Sequence, residues 1–427
     1  MADVIVIGGG AAGMMAAISA AQNGHSVRLL EKNEKLGKKI YITGKGRCNV
    51  TNACDFHTFL QNVTGNERFL YSSLRGFFHE DLCAMLEEAG CPLKTERGNR
   101  VFPQSDHASD ITKALERLLK RSGAEICLCT EVKKIKKQEQ NGRFVIEAAG
   151  GQARRHSNGR GGSFFEADAV IICTGGLSYP TTGSTGDGYR FAAAFGLSET
   201  ETYPSLVPFD VLEGDCKEMQ GLALKNAAVR ITPLDAPEKV ICEEFGELLF
   251  THFGVSGPVI LSASPRLTKR LSGGERFLLS IDLKPALSEE KLDERILRDF
   301  GEQKNADVGN VIGKLLPQTM RPVVLQRAGI PAQKKVHDIT KADRRRLLTT
   351  IKNLSFTITG TRGFSEAVVT KGGVAVFEIN PKTMEAKKVP GLYFAGEVLD
   401  VDGLTGGFNL QIAFSTGFAA GSHIPAV

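Results

Sequence analysis

Val4-Ile5-Val6-Ile7-Gly8-Gly9-Gly10-Ala11-Ala12-Gly13 is the stretch whose reading decides the fold of this chain. Four consecutive apolar residues, all β-branched, read as a buried strand, and the glycines after them stop it at once. Working outward, a small-residue helix runs from Met14 to Gln22 and Gly24 breaks it. Val27-Arg28-Leu29-Leu30 is then a second strand, and Glu31 ends the unit. That order is a strand–turn–helix–strand cradle for a dinucleotide. Gly8 permits the tight turn, Gly10 lets backbone approach a pyrophosphate, and Gly13 lets the helix pack closely on the strand. The helix N-terminus offers unpaired N–H groups and partial positive charge to the phosphates. Glu31 is placed to accept hydrogen bonds from the ribose hydroxyls. A glycine-rich turn in an ordinary α/β sheet would need only one of these parts, whereas here they all stand in order.

The rest of the chain bounds the answer. At 427 residues it is too long for one ordinary core, so two or three domains are expected. Its apolar runs are far shorter than a membrane span, and the N-terminal run is a strand cut by glycines rather than a signal peptide. Nine cysteines, with no CxxC pair and no metal-like spacing with the eight histidines, read as reduced thiols of a cytoplasmic protein with no metal. The net charge of +5 gathers in basic stretches at 133–137, 154–160 and 334–346. Such runs usually mark solvated faces, with a nucleic-acid surface as the sharper alternative.

Residues 124–136 and 143–148 alternate apolar and polar, and a glycine/arginine-rich stretch (150–162) joins them to the apolar run 167–173. This predicts a hairpin-like excursion from the nucleotide fold, followed by a buried strand ending at Thr174-Gly175-Gly176. From about residue 197 short strand-like runs alternate with Pro and Gly, predicting a small β domain, and 287–352 has helical patterning. After Phe356 the strand–glycine style returns, and Gly391-Leu392-Tyr393-Phe394-Ala395-Gly396-Glu397 reads as a buried strand meeting a ligand. The expected architecture is α/β: a discontinuous Rossmann-like domain (1–196 and 357–427) interrupted by a β-barrel-like domain (197–285 and 345–356) and a helical subdomain (286–344).

Three further segments bear on the cofactor. Residues 38–52, KKIYITGKGRCNVTN, are glycine-rich, basic and amide-rich, suited to wrapping a phosphate and bonding a flat polar ring. They are not a P-loop, because no glycine stands five residues before Gly44-Lys45. Thr174-Gly175-Gly176 is followed by GSTGDG (183–188), which no strand immediately precedes and which reads as a helix-opening turn. Gly406-Gly407-Phe408-Asn409-Leu410-Gln411 opens a final small-residue helix, whose N-terminus would stabilise charge placed on a flavin pyrimidine by reduction.

GKGRCNVTN (44–52), LFTHFGVSGP (249–258), AVVTKGGV (367–374) and the long string from Val389 to Gly417 give the chain a resemblance, over its whole length, to the BaiN/RdsA family of flavoproteins. The resemblance implies a glutathione-reductase-like FAD-binding domain with non-covalent FAD. By it, Gly8, Gly10, Ala12, Gly13, Glu31 and Lys32 hold the adenosine and pyrophosphate, Val132 meets the adenine, and Thr174 and Gly175 contact the adenosine half. Arg47 and Asn49, with Cys48 between them, lie along the flavin. Gly396 and Glu397 take the ribityl chain, and Gly407, Asn409, Leu410 and Gln411 the ring edge. It also implies reduction of a carbonyl-conjugated C=C bond, in a small hydrophobic enone such as a steroid or bile-acid intermediate or in a uracil of ribosomal RNA, with NAD(P)H as donor. A flavin-bearing RNA-binding or assembly factor without turnover is the non-enzymatic alternative.

His252 is the candidate catalytic acid, since protonating the α-carbon needs a group that titrates near working pH. A scaffold histidine in a glycine/proline-rich turn is the plainer reading. Tyr41 and Lys45 are lesser candidates. Cys48 stands beside Arg47, where a thiolate would be stabilised, but without a partner cysteine it reads as packing.

Overall fold

A computed structural model describes residues 1–150 and 163–426, divided into two compact units, Met1–Ser205 with Phe364–Val427 and Leu206–Gly363. The first is built on five parallel strands in the order Leu392–Phe394, Ala169–Ile172, Asp3–Ile7, Ser26–Leu30, Glu125–Cys127. Val4 faces Ala169 on one side and Val27 on the other. Val4 to Ile7 are all buried, which is why this central strand is a continuous apolar run rather than an alternating one.

The helix Ala11–Gln22 leaves the central strand and packs on the last helix, Phe408–Ser422. The approach is backbone to backbone. A Cβ on Gly417 would overlap the Ala12 carbonyl oxygen, and one on Gly421 the Ala16 carbonyl oxygen. Small residues four apart on the last helix therefore bring the two helices together, and with them the elements that open each one.

The predicted hairpin is a three-stranded antiparallel meander, Glu131–Lys137, Phe144–Ala149 and Ser163–Ala167. The apolar run read as one strand is split: Ala167 pairs with Phe144, whereas Ala169–Ile172 joins the parallel sheet. The basic stretch 154–160 and the glycine/arginine-rich residues 151–162 lie outside the described residues.

The second unit is a closed six-stranded barrel, in the order Phe209–Val211, Gly254–Ser256, Cys242–Phe250, Ala223–Pro233, Phe277–Asp282, Leu354–Thr361. The last strand returns to the first, with Phe209 opposite Thr361, so no edge is left open. Val229, Ile231, Leu279, Ile281, Phe356 and Ile358 alternate inward and are buried. The helices Glu289–Glu302, Arg321–Arg327 and Lys341–Lys352 bury their apolar faces in the same core. Among the described residues no helix is long and apolar enough to cross a membrane.

Candidate functional site

The parallel sheet places its ligand-facing turns at the carboxyl ends of its strands, where open α/β sheets bind ligands. After Asp3–Ile7 the chain turns through Gly8 at φ 101° and enters the helix behind Gly10. That helix start has no side-chain cap and no acidic residue in its first turn, so its orphan N–H groups and dipole are left for an anion. A Cβ added to Gly10 would meet nothing within 4 Å, because it points into a cavity. The cavity and the open space at its mouth together take up about 1230 Å³.

At the end of Ser26–Leu30, Glu31 is buried. One carboxylate oxygen accepts the Gly9 N–H at 2.6 Å, the other the Asn33 N–H and amide at 2.7 Å. The same carboxylate thus braces the glycine turn and faces the cavity. Beside it Lys32 donates to Thr185 and Asp187, both at 2.7 Å. Burial works against ionisation of Asp187, but hydrogen bonds from Lys32, Arg190 and Thr185 outweigh it and hold the carboxyl below its usual range. Thr185 and Asp187 come from the GSTGDG turn, which opens the helix Asp187–Ala194 behind Gly186. Val132, Thr174 and Gly175 complete this wall. Thr174 Oγ1 is buried without a hydrogen-bond partner and packs against Gly188, where a Cβ would overlap it.

At the other wall stand Lys39, Val369, Ala395, Glu397, Asn409 and Leu410. Glu397 is held by Ser178 Oγ at 2.5 Å, the Thr370 N–H at 2.9 Å and Lys39 Nζ at 2.5 Å. Its Oε2, bonded only to Lys39, retains a lone pair for a ligand hydroxyl. The Asn409 side chain accepts the Gly403 N–H and donates to the Gly403 carbonyl, so it clamps the loop before the last helix.

The expected site residues fall into two sets. Gly8, Gly10, Ala12, Glu31, Lys32, Val132, Thr174, Gly175, Glu397, Asn409 and Leu410 line the cavity. Gly13, Arg47, Cys48, Asn49, Gly396, Gly407 and Gln411 do not. Gly13 presses on the Gly8 carbonyl, as close helix–strand packing requires. Gly396 and Gly407 supply left-handed backbone at φ 80° and 100°. Gln411 is fully buried, accepting from Thr51 and donating to Ser415. Arg47 is held away from that lining by its own partners. Its guanidinium is paired with Glu96 and Asp106 and stacked on Phe102 at 4.2 Å, because carboxylates from neighbouring segments satisfy its fork. Cys48 is fully buried in the core, and burial pushes its thiol up to about 12. Burial thus disfavours a thiolate beside Arg47, in keeping with the packing role expected of Cys48. Asn49 has a buried oxygen without a partner, but away from the cavity lining.

Tyr41 Oη accepts from Thr112 and Lys45 is exposed, and neither lines the cavity. His252 is exposed in the turn between Cys242–Phe250 and Gly254–Ser256, its ring edge-on to Phe253 at 5.0 Å. Sequence reasoning missed Lys39, Ser178 and Thr370. Lys39 stood in a quoted basic segment and Thr370 in AVVTKGGV, but only tertiary contact joins them.

The family described as HI0933-like protein Rossmann domain matches residues 2–423. The chain is 30% identical to a 3-dehydro-bile acid delta(4,6)-reductase of Clostridium scindens, over 97% of each chain. It is 32% identical to a ribosomal RNA dihydrouridine synthase of Haemophilus influenzae, over 98% of each. A 3-ketosteroid-delta4-(5alpha)-dehydrogenase from Rhodococcus jostii RHA1 shares the fold, with a TM-score of 0.51 at 16% identity over 99% of this chain and 96% of that one. With the family match running from residue 2 to 423 and two full-length relatives at 30% and 32% identity, this chain, whose uncapped helix start, glycine cradle and acid at the second strand meet in one cavity, belongs to the HI0933-like, BaiN/RdsA-type family of FAD-dependent oxidoreductases.

Proposed function

We propose that this oxidoreductase saturates a C=C bond conjugated to a carbonyl, using FAD held in the cavity. The observation that carries the reading is whole-length similarity to two relatives whose names describe one kind of step on different molecules. A bile-acid delta(4,6)-reductase and a dihydrouridine synthase each add hydrogen to an unsaturated ring bond beside a carbonyl. The flavin, when bound, supplies the hydride. The chain's own part is to hold the cofactor through Gly8 to Ala12, Glu31 and Glu397, and to deliver a proton to the α-carbon. We assign that proton to His252, the acid candidate whose side chain is exposed in its turn.

The favoured substrate is a small hydrophobic enone, with NAD(P)H as electron donor. A uracil in ribosomal RNA is the second reading, supported by the 32% identity to a dihydrouridine synthase and by the basic balance of the chain. Rapid mixing with NADH and with NADPH tests the donor: bleaching of the flavin supports the enzyme, and a flavin that neither bleaches supports a binding factor. The reduced protein is then offered steroid enones and, separately, unmodified ribosomal RNA. Reoxidation by an enone alone supports the first substrate, by RNA alone the second, and by neither overturns C=C reduction.

A further inference from the structure

Three lysines line the cavity, and they are not alike. Lys38 pairs at 2.9 Å with Glu34, whose side chain is 62% exposed, and Lys32 is spent on Thr185 and Asp187. Lys39 stands in the short helix Lys38–Ile42, entered through Gly37 at φ 65°. It donates to Ser178 Oγ at 2.6 Å and to Glu397 Oε2 at 2.5 Å. Its two partners are themselves fixed. Ser178 also donates to Glu397 Oε1, which accepts the Thr370 N–H, and Thr370 Oγ1 accepts the N–H groups of Leu177 and Ser178. Ser178 and Thr370 are fully buried. Four segments distant in sequence are thus locked around one ammonium.

A lysine side chain is flexible, and fixing it costs rotamer entropy that a loose surface pair does not repay. An ammonium has three N–H donors. Two are taken here, by Ser178 and Glu397, and one remains. Glu397 has filled one oxygen and half of the other, so the network presents one donor and one acceptor to whatever enters.

We infer that Lys39 is the ligand-facing cation of this cavity: its third N–H donates to a negatively charged or acceptor oxygen of the bound dinucleotide, with Glu397 and Ser178 as positioning residues. The inference rests on the cavity being the FAD site. The oxygen has two possible sources, the pyrophosphate or the carbonyl edge of the flavin ring, and the probes separate them.

The test is calorimetric titration of flavin-stripped protein with FAD, ADP and riboflavin, alongside melting of the stripped protein. Lys39→Met is expected to weaken FAD about 10- to 100-fold, as for a hydrogen bond to a charged group, and Lys39→Arg to recover most of it. A parallel loss for ADP, with riboflavin unchanged, assigns the pyrophosphate. A loss for riboflavin, with ADP unchanged, assigns the ring. Ser178→Ala keeps the charge but frees the ammonium, and is expected to cost about 2- to 10-fold in FAD affinity. Wild-type affinity of Lys39→Met for all three probes overturns the inference. So does unchanged affinity in Ser178→Ala together with a Lys39→Met loss matched by a drop in melting temperature. If the wild-type protein itself binds no FAD, the cofactor reading fails instead.

Discussion

Gly10 and Gly13 stand three residues apart in one turn and are glycine for opposite reasons. A side chain on Gly10 would enter the cavity, whereas one on Gly13 would enter the Gly8 carbonyl. Gly10→Val is therefore expected to leave the flavin-free protein folded, with an unchanged melting temperature, and to abolish flavin retention through purification. Gly13→Ala is expected to lower the stability of the flavin-free protein itself by about 1–3 kcal/mol or more, the cost of overpacking against backbone. Equal melting losses in the two variants would contradict the assignment. Glu31→Ala removes an acceptor from the Gly9 and Asn33 N–H groups as well as from the ligand. FAD titration should show binding weaker by about 1.5–3 kcal/mol, as for bonds to a charged acceptor, with a loss of melting temperature that Gly10→Val does not share.

Between elements, the pair formed by Ala11–Gln22 and Phe408–Ser422 depends on Gly417 and Gly421 facing the carbonyls of Ala12 and Ala16. Gly417→Leu should cost about 1–3 kcal/mol or more by forcing the helices apart. It should also loosen FAD, since both helix starts line the cavity, and melting with flavin titration reads the two effects together. In the second unit the helix Lys341–Lys352 begins with a reciprocal cap. Thr340 Oγ1 accepts the Asp343 N–H at 3.1 Å, and Asp343 accepts the Thr340 N–H at 3.0 Å and Lys334 Nζ at 2.7 Å. The Lys334 hydrogen bond, then the Thr340 backbone, hold the Asp343 carboxyl well below its usual range. A carboxyl depressed on folding stabilises the fold above its unfolded pKa of about 3.9, and that contribution is lost as pH falls toward the folded value. Thr340→Ala should cost about 1 kcal/mol at neutral pH. The melting gap between wild type and Asp343→Asn should narrow steadily below about pH 4, and a gap independent of pH would remove the ion pair from the account.

For the whole molecule, the protein is expected to purify yellow and to release its flavin as free FAD on denaturation, because a helix start and a glycine cradle hold a pyrophosphate without a covalent bond. Flavin left on the precipitated chain, or FMN in the supernatant, would contradict this. If His252 is the acid, His252→Ala should slow reoxidation by substrate by about 10²–10⁴-fold while leaving flavin reduction by the donor unchanged. If the histidine only supports its turn, both half-reactions and the melting temperature should fall together, and Tyr41 and Lys45 become the next residues to vary. Much of this could be read without coordinates. Apolar runs, glycine turns and the acid at position 31 are local signals, so the parallel-strand cradle, the barrel's alternation and the cavity's glycine wall were legible from residues near one another in the chain. The splitting of 167–173 between two sheets, the pairing of Arg47 with Glu96 and Asp106, and the Lys39–Ser178–Glu397–Thr370 network were not. A turn or a strand is fixed by its own residues, whereas a charged side chain goes to whichever partner long-range packing brings within hydrogen-bond reach. Sequence alone therefore determined that this protein holds a dinucleotide, and only the tertiary structure decided which charges face it.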